Sequence, residues 1–386
     1  MKKISAYNRI YTKKTAFVNR SKELVYLSQW ITKEPEYILF IYGPKSSGKT
    51  SLLMKFIENQ VDKKIYSIKH FNLREMLISN YSDFIQAFFE VDYSQSVGDV
   101  KQKKEYNLKL FKLSNEIKKS LENKTLDPFV VMKKELQKIN KKGKHPVIII
   151  DEIQALEDIY MNGQRELLKE LFNFFVSITK ESHLCHVLIA SSDGYFMNKL
   201  YNDSKLTKTT AFFEVDYLPE KDIYYWLTHL EQESSITAYT LSEDQISLIW
   251  KYLGGSMWEI SYVLGELIPM EKNKRIDTQE LKKEINRLIA INEGKLDYYA
   301  QVNKSKRALL HNILSVHQKT KAFKISSCET LIDKKLYNEK TLADELNHLV
   351  QINILAFNPT TAMYTIQGRS MFYGLQKYVE NSKISI

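Results

Sequence analysis

The feature that most constrains the fold of this chain is a glycine-rich octapeptide, Gly43-Pro44-Lys45-Ser46-Ser47-Gly48-Lys49-Thr50. It fits the pattern GxxxxGK[ST], in which glycines let successive backbone N–H groups turn toward a phosphate. Such a loop requires a buried strand before it and a helix after it. Both are predicted, because residues 37–42 form an apolar run rich in β-favouring residues and residues 49–59 have helical periodicity.

This phosphate loop predicts a site for a nucleoside triphosphate, with ATP and Mg²⁺ as the expected cofactors. Lys49 is expected to reach the β- and γ-phosphates, and the hydroxyl of Thr50 to ligate Mg²⁺. The remaining loop residues are expected to contact phosphate through their backbone. The candidate nucleotide-binding residues of this segment are Gly43, Pro44, Lys45, Ser46, Ser47, Gly48, Lys49, Thr50 and Ser51.

A second motif is the apolar run 145–150, which ends in Asp151 and Glu152. Asp151 is expected to hold the magnesium ion through its water shell, and Glu152 to polarise the attacking water as a general base. A strand capped by two solvated acids is the alternative. The position of this run about a hundred residues after a phosphate loop favours the catalytic interpretation.

The next predicted strand, residues 186–190, ends in Ser191-Ser192-Asp193. A polar side chain there could touch the γ-phosphate or the attacking water, and alternation along the strand does not choose between Ser191 and Ser192. A turn that merely closes the strand is the other interpretation. We take Ser192 as the candidate, which gives Lys49, Asp151, Glu152 and Ser192 as the predicted catalytic set.

The chain predicts three successive units. Strands over 64–71, 147–151, 185–191 and 212–217, with helices between them, predict an α/β core with a parallel sheet over residues 1–217. Helices at 220–233, 242–253, 257–267 and 278–292 predict a helical lid domain over 218–300. From residue 301, three helices followed by strands at 355–357 and 363–366 have the order of a winged helix.

The chain is basic, with a net charge of +10 and a pI near 9.1. Such a balance favours polyanionic partners, although a Lys-rich composition is also typical of an AT-rich genome. Residues 99–144 form an insertion with fourteen lysines and six acids, in which we expect helices and no strand. A solvated helical decoration and a DNA-contacting arm both remain open.

Nothing at the start of the chain has the pattern of an export signal, and the most apolar run, 147–150, is far too short to cross a bilayer. Cys185 and Cys328 lie far apart without ligand spacing, as expected for reduced thiols. We therefore expect a cytoplasmic protein that does not engage the membrane.

An F-x-x-R-x-x-E-L box lies upstream of the loop and is formed by Phe17, Arg20, Glu23 and Leu24. Together with the phosphate loop and Asp151-Glu152-Ile153-Gln154, this box resembles the archaeal ATPase family of STAND-like P-loop NTPases, relatives of the AAA+ class. The resemblance spans nearly the whole chain, including Asn72-Leu73-Arg74 and the lid glycines Gly254-Gly255. It implies that Arg20 lies by the nucleotide, whereas a surface salt bridge with Glu23 is the alternative.

Three positions depart from the family pattern. Asn19 stands where related sequences often have Gly, and Met257 stands where the lid usually has Pro. The stretch 204–208 lacks the family's Gly-Arg step. An arginine finger is therefore not visible, and hydrolysis is expected to be slow without a partner.

The resemblance implies an ATP-driven conformational switch in which nucleotide moves the lid and the winged helix. Residues 303–386 carry twelve basic and six acidic residues, so duplex DNA could bind there, with helix 338–352 in the groove and the turn at Asn358 as the wing. The module could equally be a packing or dimerisation surface. The alternatives are an origin-recognition-like, ATP-dependent DNA-binding protein and a non-hydrolysing scaffold for a protein partner; a homo-oligomer is also open.

Overall fold

A computed structural model describes residues 16–91, 111–113, 115–123, 125–160, 165–203, 206, 208–301 and 303–382. Its strands are β1 (Ile38–Tyr42), β2 (Tyr66–Asn72), β3 (Phe89–Val91), β4 (Phe111–Leu113), β5 (His145–Asp151), β6 (His186–Ser191), β7 (Thr210–Glu214), β8 (Ala322–Phe323), β9 (Leu355–Asn358) and β10 (Met363–Ile366).

Five of these strands form the central sheet, in the order β2-β5-β6-β1-β7, and every neighbouring pair is parallel. The strand β1 lies between β6 and β7 and is fully buried, with Phe40 facing one apolar cluster and Leu39 and Ile41 facing the other. Because side chains alternate across a strand, burial on both faces requires helices on both sides. The α/β class with a parallel sheet is therefore confirmed.

The helices of this core pack on the two faces of the sheet. The helix after the phosphate loop has the predicted bounds, Lys49–Asn59, and packs Leu52, Leu53 and Phe56 beneath β1. The core helices are Ser21–Ile31, Lys49–Asn59, Tyr81–Phe88, Asn115–Glu122, Pro128–Lys141, Leu167–Val176 and Gly194–Asp203.

The basic insertion differs from its prediction in one respect. Phe111–Leu113 is a strand, β4, which pairs in parallel with β3. The expectation of no strand in this segment was wrong, because three residues are too short to show a periodicity and the strand is fixed by a tertiary contact. Phe111 is buried against Phe89, with ring centroids 5.8 Å apart. Residues 99–110 of the insertion lie outside the described residues.

Beyond the sheet, the chain becomes helical, as predicted, with helices Glu220–Thr228, Leu230–Ser234, Glu243–Leu253, Met257–Leu267 and Thr278–Ala300. The expected single helix 220–233 is interrupted at His229, whose backbone leaves the helical region. The long helix Thr278–Ala300 contributes Leu281 and Ile285 to the lid core and Leu296 and Ala300 to the next core. It is therefore a structural connection between the two units, whose boundaries stay predictions.

The C-terminal unit is a winged helix, with helices Lys304–Thr320, Glu329–Asp333 and Glu339–Gln351, an antiparallel sheet in the order β8-β10-β9 and a last helix, Gly368–Asn381. Its hairpin strands match the predicted positions to within one residue. None of the helices among the described residues is both long and apolar enough to cross a bilayer.

Candidate active site

The phosphate loop leaves the carboxyl end of β1 and wraps toward the helix Lys49–Asn59. Its first residue, Gly43, lies so close to the backbone of Val215 that an added Cβ would meet the carbonyl oxygen of that residue at 2.1 Å. Only glycine fits at this position. The helix begins at the far end of the loop, where the amide of Leu52 donates to the carbonyl of Gly48 at 2.9 Å. The free N–H groups of this first turn therefore face the loop.

Lys49 is buried within the loop. Its Nζ donates to the carbonyls of Gly43 and Pro44 at 2.8 and 2.9 Å. Burial lowers the pKa of Lys49 to about 8, although the nearby carboxylates of Glu152 and Asp151 act in the opposite direction. The ammonium is thus held by neutral carbonyls, which it can exchange for phosphate oxygens without breaking an ion pair.

Thr50 and Asp151 meet at the end of β5. The Thr50 hydroxyl donates to Oδ2 of Asp151 at 2.6 Å, and Asp151 is 1% exposed. The other oxygen, Oδ1, is buried and has no hydrogen-bond partner among the described residues. Burial raises the pKa of Asp151 above its usual value, and the bond from Thr50 counters part of this effect. An oxygen-only pair with one buried, unpartnered oxygen fits the ligand preference of Mg²⁺.

Glu152 follows with a left-handed backbone, φ 62° and ψ 51°. Its amide donates to the carbonyl of Ala190 at 2.9 Å, which ties it to β6. Glu152 is 4% exposed, and each of its carboxylate oxygens has a partner: Oε1 lies 2.5 Å from Nη2 of Arg74, and Oε2 accepts from Nε2 of Gln154. A non-glycine residue in this region stores roughly 1–3 kcal/mol of strain, and such positions concentrate at functional sites.

The two candidate serines after β6 have different surroundings. Ser191 is fully buried, where its hydroxyl donates to Oε1 of Gln154 at 2.8 Å and accepts from the amide of Asp193 at 3.0 Å. The hydroxyl of Ser192 lies 3.4 Å from Oε1 of Glu152 and borders the open cavity. Of the two, Ser192 is therefore the residue that faces the cavity, and Ser191 positions Gln154.

Arg20 lies beneath the loop with 5% of its surface exposed. Its Nη2 donates to the carbonyl of Ser47 at 2.7 Å and to that of Asp216 at 2.8 Å, while Nη1 pairs with Glu23 at 2.7 Å. The guanidinium therefore joins the phosphate loop to the end of β7. This geometry differs from an exposed salt bridge on a helix surface, and the ion pair with Glu23 is one of its three contacts.

A cavity of about 800 Å³, which we call the loop cavity, opens over these residues between the core, the lid and the winged helix. Eight predicted site residues border it: Lys45, Ser46, Gly48, Lys49, Thr50, Ser51, Glu152 and Ser192. Gly43 and Pro44 border a second cavity of about 810 Å³, the interdomain cavity. Arg20, Ser47 and Asp151 lie behind the loop surface, where they contact the residues that form it.

The lid contacts the loop despite the departure from the family pattern. Sδ of Met257 lies 3.2 Å from the position of a Cβ on Gly48, and Met257 borders the loop cavity. Of the stretch that lacks the Gly-Arg step, Ser204, Lys205 and Thr207 lie outside the described residues.

Several residues that border the loop cavity were missed as site residues because they come from distant parts of the chain. Arg74 was noted only as part of Asn72-Leu73-Arg74, and its ion pair with Glu152 has no sequence signal. The lid and the winged helix supply others, among them Trp258, Glu259, Asn292, Lys295, Gln367 and Met371.

The chain is similar to archaeal proteins over nearly its whole length. An uncharacterized ATP-binding protein of Methanocaldococcus jannaschii is 32% identical over 372 residues, which cover 94% of this chain and 95% of the relative. A second uncharacterized ATP-binding protein of the same organism is 32% identical over 355 residues, covering 89% and 94%.

Solved structures share the fold at low sequence identity. The Walker-type ATPase PABY2304 of Pyrococcus abyssi superposes with a TM-score of 0.60 at 15% identity, over 95% of this chain and 97% of that one. The ORC2 protein of Aeropyrum pernix in ADPNP-ADP complexes superposes with a TM-score of 0.55 at 10% identity, over 95% of each chain.

The model of one protein family matches residues 17–263, the segment that holds the upstream box, the phosphate loop, Asp151-Glu152 and the first lid helices. With the geometry of these motifs and the two archaeal relatives, this match confirms the resemblance found in the sequence. The chain belongs to the family of ATPase domains found predominantly in Archaea.

Proposed function

We propose that this chain binds ATP with Mg²⁺ at the phosphate loop, hydrolyses it slowly, and transmits its nucleotide state to the lid and the winged helix. The observation that carries the proposal is the bond between Thr50 and Asp151 at 2.6 Å, next to the buried and unpartnered Oδ1 of Asp151. The ATP-binding relatives support the choice of nucleotide.

The residues of the loop would hold the phosphates. Lys49 would exchange the carbonyls of Gly43 and Pro44 for phosphate oxygens, and the N–H groups of the first helical turn would face the same anion. Thr50 and Asp151 would hold Mg²⁺, which when bound neutralises charge on the phosphate oxygens. Arg20 does not border the cavity; it would keep the loop in shape through the carbonyl of Ser47.

Glu152 is the candidate general base. Its position at the end of β5 places its carboxylate at the loop cavity, beside the hydroxyl of Ser192. Oε1 pairs with Arg74 and Oε2 accepts from Gln154, so proton transfer from a water to Oε1 would have to compete with the ion pair to Arg74. This restraint is a physical reason to expect slow turnover, independent of any arginine finger.

Contacts between the units would transmit the nucleotide state. The hydroxyl of Tyr217 donates to the carbonyl of Lys45 at 3.0 Å, and Nε2 of Gln367, in the winged helix, donates to the same tyrosine at 3.3 Å. A displacement of the loop backbone at Lys45 would therefore be transmitted to Gln367 of the winged helix through the hydroxyl of Tyr217. Since packed interfaces between units can have two discrete arrangements, a small displacement at this bridge could favour one of them.

The wing, the turn around Asn358, contacts the core at a second place. The hydroxyl of Tyr42, the residue before the loop, lies 3.3 Å from Oδ1 of Asn358 and 3.2 Å from Oγ1 of Thr360. Gly194 lies against the wing so closely that an added Cβ would meet the carbonyl of Phe357 at 1.9 Å. The wing turn therefore rests on the ends of the strands that carry the loop and Ser192.

DNA binding is the second candidate function, and its support is the basic balance of the winged-helix segment, twelve basic against six acidic residues. The turn at Asn358 contacts the core, so the wing would have to leave Tyr42 before it could enter a groove. Duplex binding that depends on both salt and ATP would support this candidate. Its absence at low salt with ATP present would eliminate it.

Calorimetric titration with MgATP tests the proposed site. We expect binding by the wild type, loss of binding in Lys49→Ala, and unchanged binding in the control Lys55→Ala, a partly exposed lysine of the same helix that pairs with Glu58. Equal affinity of Lys49→Ala and the wild type would show that ATP binds elsewhere.

A further inference from the structure

The residues just before the first core helix pack on two units at once. Ala16 and Val18 are buried in the apolar cluster of the lid. Phe17, between them, packs instead against the cluster that the sheet and the helix Lys49–Asn59 form in the core. Neighbouring residues therefore face different units. We call residues 16–20 the upstream segment; it is a second connection between core and lid, besides the chain that leads from β7 into the lid.

Asn19 adds a polar contact to this connection. Its Nδ2 donates to Oδ1 of Asp222, in the lid helix Glu220–Thr228, at 2.7 Å, and Asp222 is 7% exposed. The backbone of Asn19 has φ 37°, a left-handed conformation that Asn tolerates and that Gly adopts freely. A glycine at this position would keep the backbone and lose the bond. The contact with Asp222 is therefore supplied by the side chain of Asn19.

The linker, which we define as residues 215–218, leads from β7 into the lid and lies along the phosphate loop. The carbonyl of Val215 lies against Gly43, where an added Cβ would meet it at 2.1 Å. Further along, the hydroxyl of Tyr217 donates to the carbonyl of Lys45 at 3.0 Å. The first and third residues of the loop are therefore both in contact with the linker.

Arg20 joins the middle of the loop to the same linker. A single nitrogen, Nη2, donates to the carbonyls of Ser47 and Asp216 at 2.7 and 2.8 Å, and Arg20 is 5% exposed. Two charge-assisted bonds from one buried atom fix the separation of these carbonyls, because each bond is confined to about 2.7–3.2 Å. The linker in turn meets the lid at Leu218, whose carbonyl would lie 2.0 Å from a Cβ on Gly255.

Phosphate at the loop would change the bonds around Ser47. The amide of Ser47 donates to the carbonyl of Pro44 at 3.2 Å, and the ammonium of Lys49 donates to the same carbonyl at 2.9 Å. When Lys49 exchanges this carbonyl for a phosphate oxygen, as the proposed function requires, the turn that holds Ser47 loses one of its contacts. The carbonyl to which Arg20 donates therefore lies in the part of the loop that responds to phosphate.

We propose that Arg20 is a positioning residue that couples the phosphate loop to the lid. Phosphate at the loop displaces the carbonyl of Ser47, Arg20 passes this displacement to Asp216 of the linker, and Asn19 passes it to the first lid helix. This inference rests on the proposed function, because it requires ATP at the loop. It gives the upstream box a role in transmission, whereas the sequence suggested a place beside the nucleotide.

The test measures the distance between the core and the lid with spin labels at Lys64→Cys and Lys282→Cys, two exposed positions. The native Cys185 and Cys328 are buried and resist labelling. The labelled parent carries Glu152→Gln so that ATP is not consumed. Each variant is measured without nucleotide and with MgATP at about ten times its own dissociation constant, so that a loss of affinity alone does not abolish the response.

We expect MgATP to shift the distance in the parent and not in Arg20→Met. A variant in which the loop is only loosened would regain the shift at this occupancy. Arg20→Lys keeps a buried cation, but its ammonium ends one bond short of Nη2 and lacks the fork, so we expect it to lose the shift as well. In Asn19→Gly the ratio of shifted to resting protein should fall about three- to tenfold, as for one lost bond.

The control is Glu23→Gln, which removes the ion pair of Arg20 and leaves both bonds to the carbonyls in place. We expect this variant to shift like the parent. A full shift in both Arg20 variants would overturn the inference, and so would loss of the shift in Glu23→Gln. If Arg20→Met does not fold, as thermal melts would show, Arg20→Lys and Asn19→Gly decide the matter.

Failure of the proposed function would look different. A parent that binds MgATP without any change in distance would contradict the proposed switch, and a parent that does not bind MgATP would contradict the nucleotide site. In both cases the result is read from the parent. Failure of the coupling is read from the Arg20 variants while the parent responds.

Discussion

Arg74 and Glu152 form an ion pair across two strand ends, with Nη2 of the arginine 2.5 Å from Oε1 of the glutamate. Arg74 follows β2 and is about half exposed, whereas Glu152 follows β5 and is buried. The candidate base is thus restrained by a residue that solvent or a partner can reach. In the proposed function, this ion pair would place control of hydrolysis at the surface of the core.

The first prediction concerns Arg74→Ala. Without the guanidinium, Oε1 of Glu152 no longer has this ion-pair partner and is open to a water. We expect the steady-state turnover of ATP to rise about threefold or more, with ADP affinity unchanged. A fall in turnover with intact nucleotide binding would instead place Arg74 on the phosphate.

The second prediction is a pH dependence that Lys49 imposes on binding. Its pKa in the folded, ligand-free chain is lowered to about 8, so the ammonium that binds phosphate is present below pH 8 and is lost above it. The dissociation constant of MgATP should be constant below about pH 7 and rise toward tenfold per pH unit above pH 8. Titrations from pH 6.5 to 9.5, with thermal melts to verify folding, measure it; a flat profile would contradict the assignment.

The third prediction concerns the contact between the wing and the core at Tyr42. Tyr42→Phe removes the hydroxyl that lies near both Asn358 and Thr360, and each lost bond costs about 0.5–1.5 kcal/mol. We expect an undocked population about three- to tenfold larger, visible as a longer component in the distance between spin labels at Lys64→Cys and Lys340→Cys.

The control for this variant is Tyr66→Phe, which also loses one hydroxyl bond, to the carbonyl of Ile31, but lies wholly within the core. The account of the wing is wrong if both variants leave the distance distribution as it is in the wild type.

Local patterns predicted the elements of the site because each carries its own signal. The strand before the loop, the helix Lys49–Asn59 and the acidic end of β5 follow from apolar runs, glycines and helical periodicity. The hairpin strands of the winged helix were predicted for the same reason. Where a short segment is fixed by tertiary packing, as Phe111–Leu113 is, the sequence held no such signal.

Relationships between units could not be predicted in the same way. Lys295 borders the cavity although it lies 246 positions after Lys49 in the sequence. Nε2 of Gln367 lies 3.4 Å from the carbonyl oxygen of Lys45, and the two residues are 322 positions apart. Neither residue type is unusual in its helix or turn, so composition gives no reason to single it out. The choice between Ser191 and Ser192 also needed the structure, because both follow the same strand and only the turn geometry separates their hydroxyls.

The most direct test of the central claim is the single-turnover hydrolysis of MgATP by the wild type and by Glu152→Gln, with binding measured on the same samples. We predict that Glu152→Gln binds ATP as tightly as the wild type and cleaves it at least about a hundredfold more slowly. A positioned general base contributes a factor of about 10²–10⁴ to the rate. If Glu152→Gln cleaves bound ATP at the wild-type rate, Glu152 is not the base and the account of this site is wrong.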